Sequence, residues 1–91
     1  MTAQQTHATT AIAGRPPLPA ELLRLQRGIT RRAVAEATGV DANALYRIEK
    51  GQAWPTPPTI VRLAAALDLP VEEMAIALLR GWLLQNGRQQ L

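Results

Sequence analysis

Apolar residues along this chain recur at spacings of three and four, the period of α-helices that bury one side. The first such segment runs from Leu18 to Arg27, where Leu22 and Leu25 continue the apolar side and Gly28 follows the end. We therefore predict a short amphipathic helix at this position.

Two very short helices follow, and each has its own start and stop signals. Thr30 can cap a helix that ends before Gly39, and Asp41 can cap the next helix, which ends before Gly51. Two short helices joined by about three residues around a glycine form a helix-turn-helix arrangement. The positions predicted to point inward are Val34, Ala35, Thr38, Val40, Leu45 and Ile48.

Two more helices complete the pattern. Thr56 and Pro57 form a cap and a first-turn proline, and they open a fourth helix that Pro70 ends. The fifth helix is predicted from Val71 to about Gln85. Its broad apolar stripe consists of Val71, Met74, Ala75, Leu78, Leu79, Trp82 and Leu83.

The composition favours an all-α fold. Hydrophobic residues make up 47% of the 91 residues but aromatic residues only 3%, and such a core suits helices better than sheets. We predict one compact five-helix domain over residues 18–86, preceded by a disordered arm at 1–17 and followed by a frayed tail at 87–91. With no cysteine, no secretory signal and no long apolar run, a soluble cytoplasmic protein is expected.

The charge of the chain suggests that its partner is a nucleic acid. The net charge is +3 and the isoelectric point is near 10.6, in the range of nucleic-acid-binding domains. His7 has no neighbouring ligands of the kind that build metal or catalytic sites, so we expect no metal and no cofactor.

The segment from Leu22 to Met74 carries an ordered series of motifs. They are Gly28-Ile29-Thr30, Val34-Ala35-Glu36, Gly39-Val40, Leu45, Arg47-Ile48-Glu49-Lys50-Gly51, Pro55-Thr56 and Leu63-Ala64-Ala65-Ala66-Leu67. With these motifs the segment resembles the lambda-repressor-like, Cro-type helix-turn-helix domains, which bind double-stranded DNA. Three residues depart from the family pattern: Thr38 stands where a larger apolar residue is common, and Pro57 and Pro58 crowd the start of the fourth helix.

In such a domain the helix over residues 42–49 lies in the major groove and presents its outward side chains to base edges. Asn43 can bond adenine and Arg47 can bond guanine, each with two hydrogen bonds, while Ala42 can contact a thymine methyl group. The alternatives are a first-turn backbone contact for Asn43 and a solvated cation for Arg47.

The DNA backbone would be contacted by side chains around the same helix. The resemblance implies a phosphate contact for Arg31, which we favour over Arg32, and it implies that Arg24 and Glu49 pair to orient the reading helix. For Trp54 we favour a place in the core over a contact with DNA. The residues predicted to contact the DNA backbone are Arg31, Arg32, Tyr46, Lys50 and Gln52.

The apolar stripe of the fifth helix extends beyond the region of resemblance. We predict that Leu78, Leu79, Trp82 and Leu83 form a homodimer interface, since one small domain can bury only part of this stripe. The alternative is an extra helix that folds back onto its own core.

These observations predict a regulator of transcription, most simply a small dimeric repressor that reads a palindromic operator. Two alternatives stay open: an antitoxin-type protein that binds DNA and masks a partner toxin, and a protein-interaction module that keeps the fold without binding DNA. We expect no enzymatic activity, because the sequence shows no paired nucleophile and base and no phosphate-binding glycine loop.

Overall fold

The computed structural model describes residues 16–87, and within this range it shows five α-helices and no strand. The predicted all-α class and the number of helices are confirmed for these residues. Most of the predicted arm at 1–17 and tail at 87–91 lies outside the described residues, as does His7. The helices are α1 Pro19–Gln26, α2 Arg31–Thr38, α3 Ala42–Glu49, α4 Pro57–Ala66 and α5 Val71–Asn86.

Side-chain caps set the starts of the short central helices. The Thr30 hydroxyl accepts a hydrogen bond from the backbone N–H of Ala33 at 3.0 Å. The Asp41 carboxylate accepts from the N–H groups of Asn43 at 2.9 Å and Ala44 at 3.3 Å. Helices of eight residues are marginal alone, so these caps and the contacts with neighbouring helices hold them.

The turn between α2 and α3 depends on Gly39 and Thr38. Gly39 has a φ of 79°, a left-handed conformation that a residue with a Cβ adopts at a cost. The Thr38 hydroxyl donates to the carbonyl of Val34 at 2.8 Å and accepts from the N–H of Val40 at 3.1 Å. The family pattern commonly has a larger apolar residue at this position. Here Thr38 closes the turn with hydrogen bonds instead.

The core lies where α4 and α5 pack together and receive the inner sides of α1, α2 and α3. Leu45 on α3 is 1% exposed and Val34 on α2 is 2% exposed, so the two motif helices are anchored at their centres. The core consists of Ala20, Val34, Leu45, Ile48, Ile60, Leu63, Ala64, Leu67, Leu69, Met74, Ala77 and Leu78.

The buried side of α1 differs from the prediction. Leu22 and Leu25 are 41% and 48% exposed, whereas Ala20 and Arg24 are buried. The helix is rotated so that the Arg24 side chain points inward, where it pairs with the buried carboxylate of Glu49. The spacing of the leucines alone therefore gave the wrong inner face.

Gly51, in the turn after α3, allows α5 to approach closely. A Cβ at Gly51 would lie 2.8 Å from the Cβ of Gln85, and φ at Gly51 is 73°. The side-chain amide of Asn86 donates to the Gly51 carbonyl at 2.9 Å. These contacts fix the turn that follows α3 directly against α5.

Trp54 lies at the rim of the molecule, not in its core. Its ring packs edge-on against Trp82 with the centroids 6.2 Å apart, yet 49% of the residue is exposed. The prediction that Trp54 lies in the core is therefore wrong, because the residue is too exposed to belong there. Its ring nevertheless packs on Trp82 near the end of α5.

The contrast between Leu45 and Leu25 gives a test of this packing. Leu45→Ala should lower the free energy of unfolding by about 2 to 5 kcal/mol, because it opens a cavity in the core. Leu25→Ala, the matched control on the exposed side of α1, should change it by less than about 0.5 kcal/mol. Urea unfolding followed by circular dichroism measures both, and equal losses would contradict the assigned inner face of α1.

Candidate nucleic-acid interface

One side of α3 faces solvent while its other side is held in the core. Ala42, Asn43, Tyr46 and Arg47 are all exposed, and the inward side chains of the same helix are buried. We call these four residues the outward face of α3. A helix fixed from behind in this way can present a rigid set of side chains to a groove.

Asn43 and Arg47 supply the polar chemistry of the outward face. They lie four residues apart and therefore project from neighbouring positions on the helix. Within residues 16–87 Arg47 forms no ion pair. Its guanidinium can therefore give two parallel hydrogen bonds to a base edge without first breaking an internal contact.

Arg31 lies beside α3, although it belongs to the start of α2. Its Nε donates to the Glu49 carboxylate at 2.9 Å and its Nη2 donates to the Glu21 carboxylate at 3.3 Å. The guanidinium carbon lies 5.1 Å from the centre of the Tyr46 ring, a cation–π distance. The Arg31 side chain is still 28% exposed, so it remains accessible to an anion.

Lys50 approaches the same ring from the end of α3. Its Nζ lies 5.5 Å from the centre of the Tyr46 ring and donates to the Glu21 carboxylate at 3.0 Å. The structure therefore brings Arg31, Tyr46 and Lys50 together at one edge of the outward face.

The two remaining residues predicted to contact the DNA backbone, Arg32 and Gln52, have other partners in the part of the chain that the structure describes. Arg32 pairs with Glu36 one helical turn away at 3.3 Å, with both side chains largely in solvent, and such pairs contribute little to stability. Gln52 is exposed in the loop after α3, and its backbone N–H donates to the carbonyl of Arg47 at 2.8 Å.

Arg24 and Glu49 form the buried pair that the family resemblance implied. Arg24 Nε lies 2.7 Å from Glu49 Oε2 and Arg24 Nη2 lies 3.3 Å from Oε1. The Arg24 Nη1 also donates to the carbonyl of Ile29 at 2.8 Å. This two-pronged contact ties the C-terminal end of α3 to α1 and to the start of the motif.

Sequence reasoning missed Glu21, the second carboxylate of this network. It accepts from both Arg31 and Lys50 and lies 3.9 Å from Arg24. Its spacing of three residues from Arg24 was a signal for an ion pair on α1, but only the fold brings the other two cations to it.

The apolar surface of α5 is composed differently from the predicted dimer interface. Leu78 is 4% exposed and belongs to the core of its own domain. Trp82 is partly buried against Trp54. The exposed apolar residues of α5 beyond its first turn, which we call the α5 surface, are Ile76, Leu79, Leu83 and Leu84.

Within residues 16–87 no cluster of three or more acidic, histidine or cysteine side chains could hold a metal ion. None of the helices there has the length and apolarity to cross a membrane.

The buried network makes the end of α3 sensitive to loss of one charge. Glu49→Ala should lower the free energy of unfolding by about 3 to 5 kcal/mol, because it leaves the Arg24 guanidinium buried beside an empty space. Glu36→Ala removes a carboxylate from an exposed pair and should cost less than about 1 kcal/mol. Thermal and urea unfolding would contradict this assignment if the two variants were equally stable.

Comparison with known proteins agrees with this geometry. The model of the helix-turn-helix family matches residues 21–74, from the first turn of α1 into the first turn of α5. No curated protein and no solved structure matches the chain. The match covers more than half of the sequence and confirms the resemblance drawn from its motifs. The chain therefore belongs to the helix-turn-helix family, as a lambda-repressor-like, Cro-type domain of DNA-binding regulators.

Proposed function

We propose that this protein is a sequence-specific, double-stranded-DNA-binding repressor of transcription that acts in the cytoplasm as a homodimer. The observation that carries the proposal is the outward face of α3, where Asn43 and Arg47 are exposed on a helix whose opposite side is fixed in the core. The proposal has two parts, the reading of bases and the pairing of two copies.

Base reading is assigned to three side chains of the outward face. Arg47 suits guanine and Asn43 suits adenine, because each can form two hydrogen bonds to the groove edge of that base. Ala42 stands at the first position of α3 and is small enough to meet a thymine methyl group. This division gives each residue its own base pair to discriminate.

The DNA backbone is assigned to the cations around Tyr46. Arg31 and Lys50 keep donors free beyond their internal contacts, and Tyr46 beside them offers a hydroxyl group. Arg32 and Gln52 are exposed and add sequence-independent affinity. Phosphate contacts at these positions would set the register of α3 along the groove.

Pairing of two copies is assigned to the α5 surface. Ile76, Leu79 and Leu83 are between 47% and 54% exposed and share one side of the helix. Glu73 and Arg80 stand on the same side, one on each flank of Ile76. When two copies of α5 run antiparallel about a two-fold axis near Ile76, Glu73 of one copy faces Arg80 of the other.

A two-fold pair would present two copies of α3 to successive turns of the major groove, about 34 Å apart. The operator would then be a palindrome whose half-sites match the outward face. Selection of bound duplexes from random sequences tests this directly, since a recovered palindrome supports both parts of the proposal and an unselective pool contradicts the reading of bases.

Arg47→Ala and Arg31→Ala should weaken DNA binding in different ways. Arg47→Ala should remove about 1 to 3 kcal/mol of discrimination at one base pair, because it deletes a two-pronged base contact. Arg31→Ala should weaken binding to all sequences alike and reduce the slope of log K against log salt by about 0.9. Titration of selected and single-base-changed duplexes over a salt series measures both, and negligible effects in both variants would favour a protein-interaction module.

The α5 surface gives a separate test of the dimer. Leu79→Glu should shift sedimentation from dimer to monomer and weaken binding to a full palindrome far more than to a half-site, because two charges would be buried in the interface. Val61→Glu is the matched control, since Val61 is 50% exposed on α4 and lies outside this surface. A wild-type protein that stays monomeric at micromolar concentration would contradict the dimer.

A further inference from the structure

The carboxylate of Glu21 bridges two cations with its two oxygens. Its Oε2 accepts from Arg31 Nη2 at 3.3 Å, and its Oε1 accepts from Lys50 Nζ at 3.0 Å. These cations come from the start of α2 and the end of α3, while Glu21 lies on α1. One side chain of α1 therefore holds the two motif helices together at the edge of the outward face.

The charges in this cluster are layered. The side chains of Glu21 and Glu49 are 12% and 5% exposed, whereas those of Arg31 and Lys50 are 28% and 33% exposed. The acids thus lie beneath the cations, and Tyr46, which is 44% exposed, lies beside them. An anion that arrives from solvent meets the cations first.

Two positive charges beside one aromatic ring repel each other unless a negative charge nearby compensates them. Arg31 and Lys50 both lie within 5.5 Å of the Tyr46 ring centre. Glu49 holds Arg31 through its Nε, but among residues 16–87 Glu21 is the one hydrogen-bond partner of Lys50 Nζ. Without Glu21 the Lys50 side chain would regain its rotamer freedom and move away from Arg31.

We propose that Glu21 is a positioning residue for DNA binding, which holds Arg31 and Lys50 side by side as a ready-made pair of donors for one backbone phosphate. The role rests on the proposed function, because it concerns the phosphate contacts of the same interface. A donor pair that is already fixed loses less side-chain freedom on binding than two free side chains do. Glu21 therefore increases affinity for DNA although it carries the same sign of charge as the phosphate.

The sign of one mutational effect separates positioning from simple electrostatics. Glu21→Gln keeps the shape of the side chain and removes one negative charge, so it raises the net charge of +3 by one. Charge alone predicts tighter binding and a steeper salt dependence. Positioning predicts binding about three- to tenfold weaker, with a slope of log K against log salt that is smaller by up to about 0.9 because the Lys50 contact is lost.

Glu36→Gln is the matched control. It makes the same change of charge next to another arginine of α2, but its pair with Arg32 is exposed and holds neither side chain firmly. This variant should bind DNA as tightly as the wild type or more tightly. Glu21→Asp adds a second variant in which the charge is kept but the shorter side chain cannot bridge both cations, and it should weaken binding in the same direction as Glu21→Gln.

The experiment measures fluorescence anisotropy of the full chain with a duplex selected from random sequences, over a salt series, after circular dichroism has verified folding. The loss caused by Glu21→Gln should shrink to about half or less in a Lys50→Ala background, because the residue acts through Lys50. A merely structural role would leave that loss unchanged in the Lys50→Ala background.

Three results would overturn the role of Glu21: tighter binding by Glu21→Gln, wild-type affinity in Glu21→Asp, or a loss that persists in full without Lys50. Each leaves the proposed function intact, because the wild-type chain still binds its duplex. A wild-type chain that binds no duplex, even at low salt, overturns the proposed function itself and the role of Glu21 with it.

Discussion

The structure depends on a buried carboxylate at the end of α3. Glu49 is 5% exposed, and a charge so placed is stable only when cations reach it from elsewhere in the fold. Arg24 comes from α1 and Arg31 from α2, so three helices meet at this one side chain. Because Glu49 is the last residue of α3, the same contact fixes the direction in which that helix leaves the core.

This constraint explains how such small helices can form a rigid surface. Residues 31–38 and 42–49 make only two turns each, which is too short to be stable alone. Leu45 anchors the centre of α3 in the core, the Asp41 cap fixes its start, and Glu49 fixes its end. Three attachments along eight residues leave the opposite side of the helix free to carry polar side chains whose positions are set.

The network around Glu49 also divides the basic residues into two groups. Arg24 is fully enclosed and holds the fold together, whereas Arg47 is exposed and pairs with no carboxylate in the part of the chain that the structure describes. Arg31 and Lys50 lie between these extremes, with internal acids below them and solvent above. The same type of residue can thus stabilise the domain or meet a ligand, according to the depth at which the fold places it.

The α5 surface shows the same principle for apolar residues. Leu78 and Leu79 are neighbours in sequence, yet Leu78 is buried and Leu79 is 47% exposed. A helix places consecutive side chains about 100° apart, so one residue completes the core and the next remains exposed to solvent.

Local signals determined where the helices begin and end. Thr30, Gly39, Asp41 and Thr56 act through hydrogen bonds or backbone angles within a few residues, so the sequence predicted α2 and α3 with the bounds that the structure has. The motif series also identified the family and the outward face of α3, because a three-residue turn leaves few ways to pack two short helices.

Tertiary structure alone decided which side of α1 is buried. The leucine spacing of α1 pointed to Leu22 and Leu25, but the inner side carries Arg24, whose guanidinium pairs with the buried carboxylate of Glu49. Glu21 could not be assigned from sequence, because its partners lie 10 and 29 residues away. Local capping depends on neighbours along the chain, whereas burial and ion pairing depend on which helices meet, and that is fixed only when all five pack together.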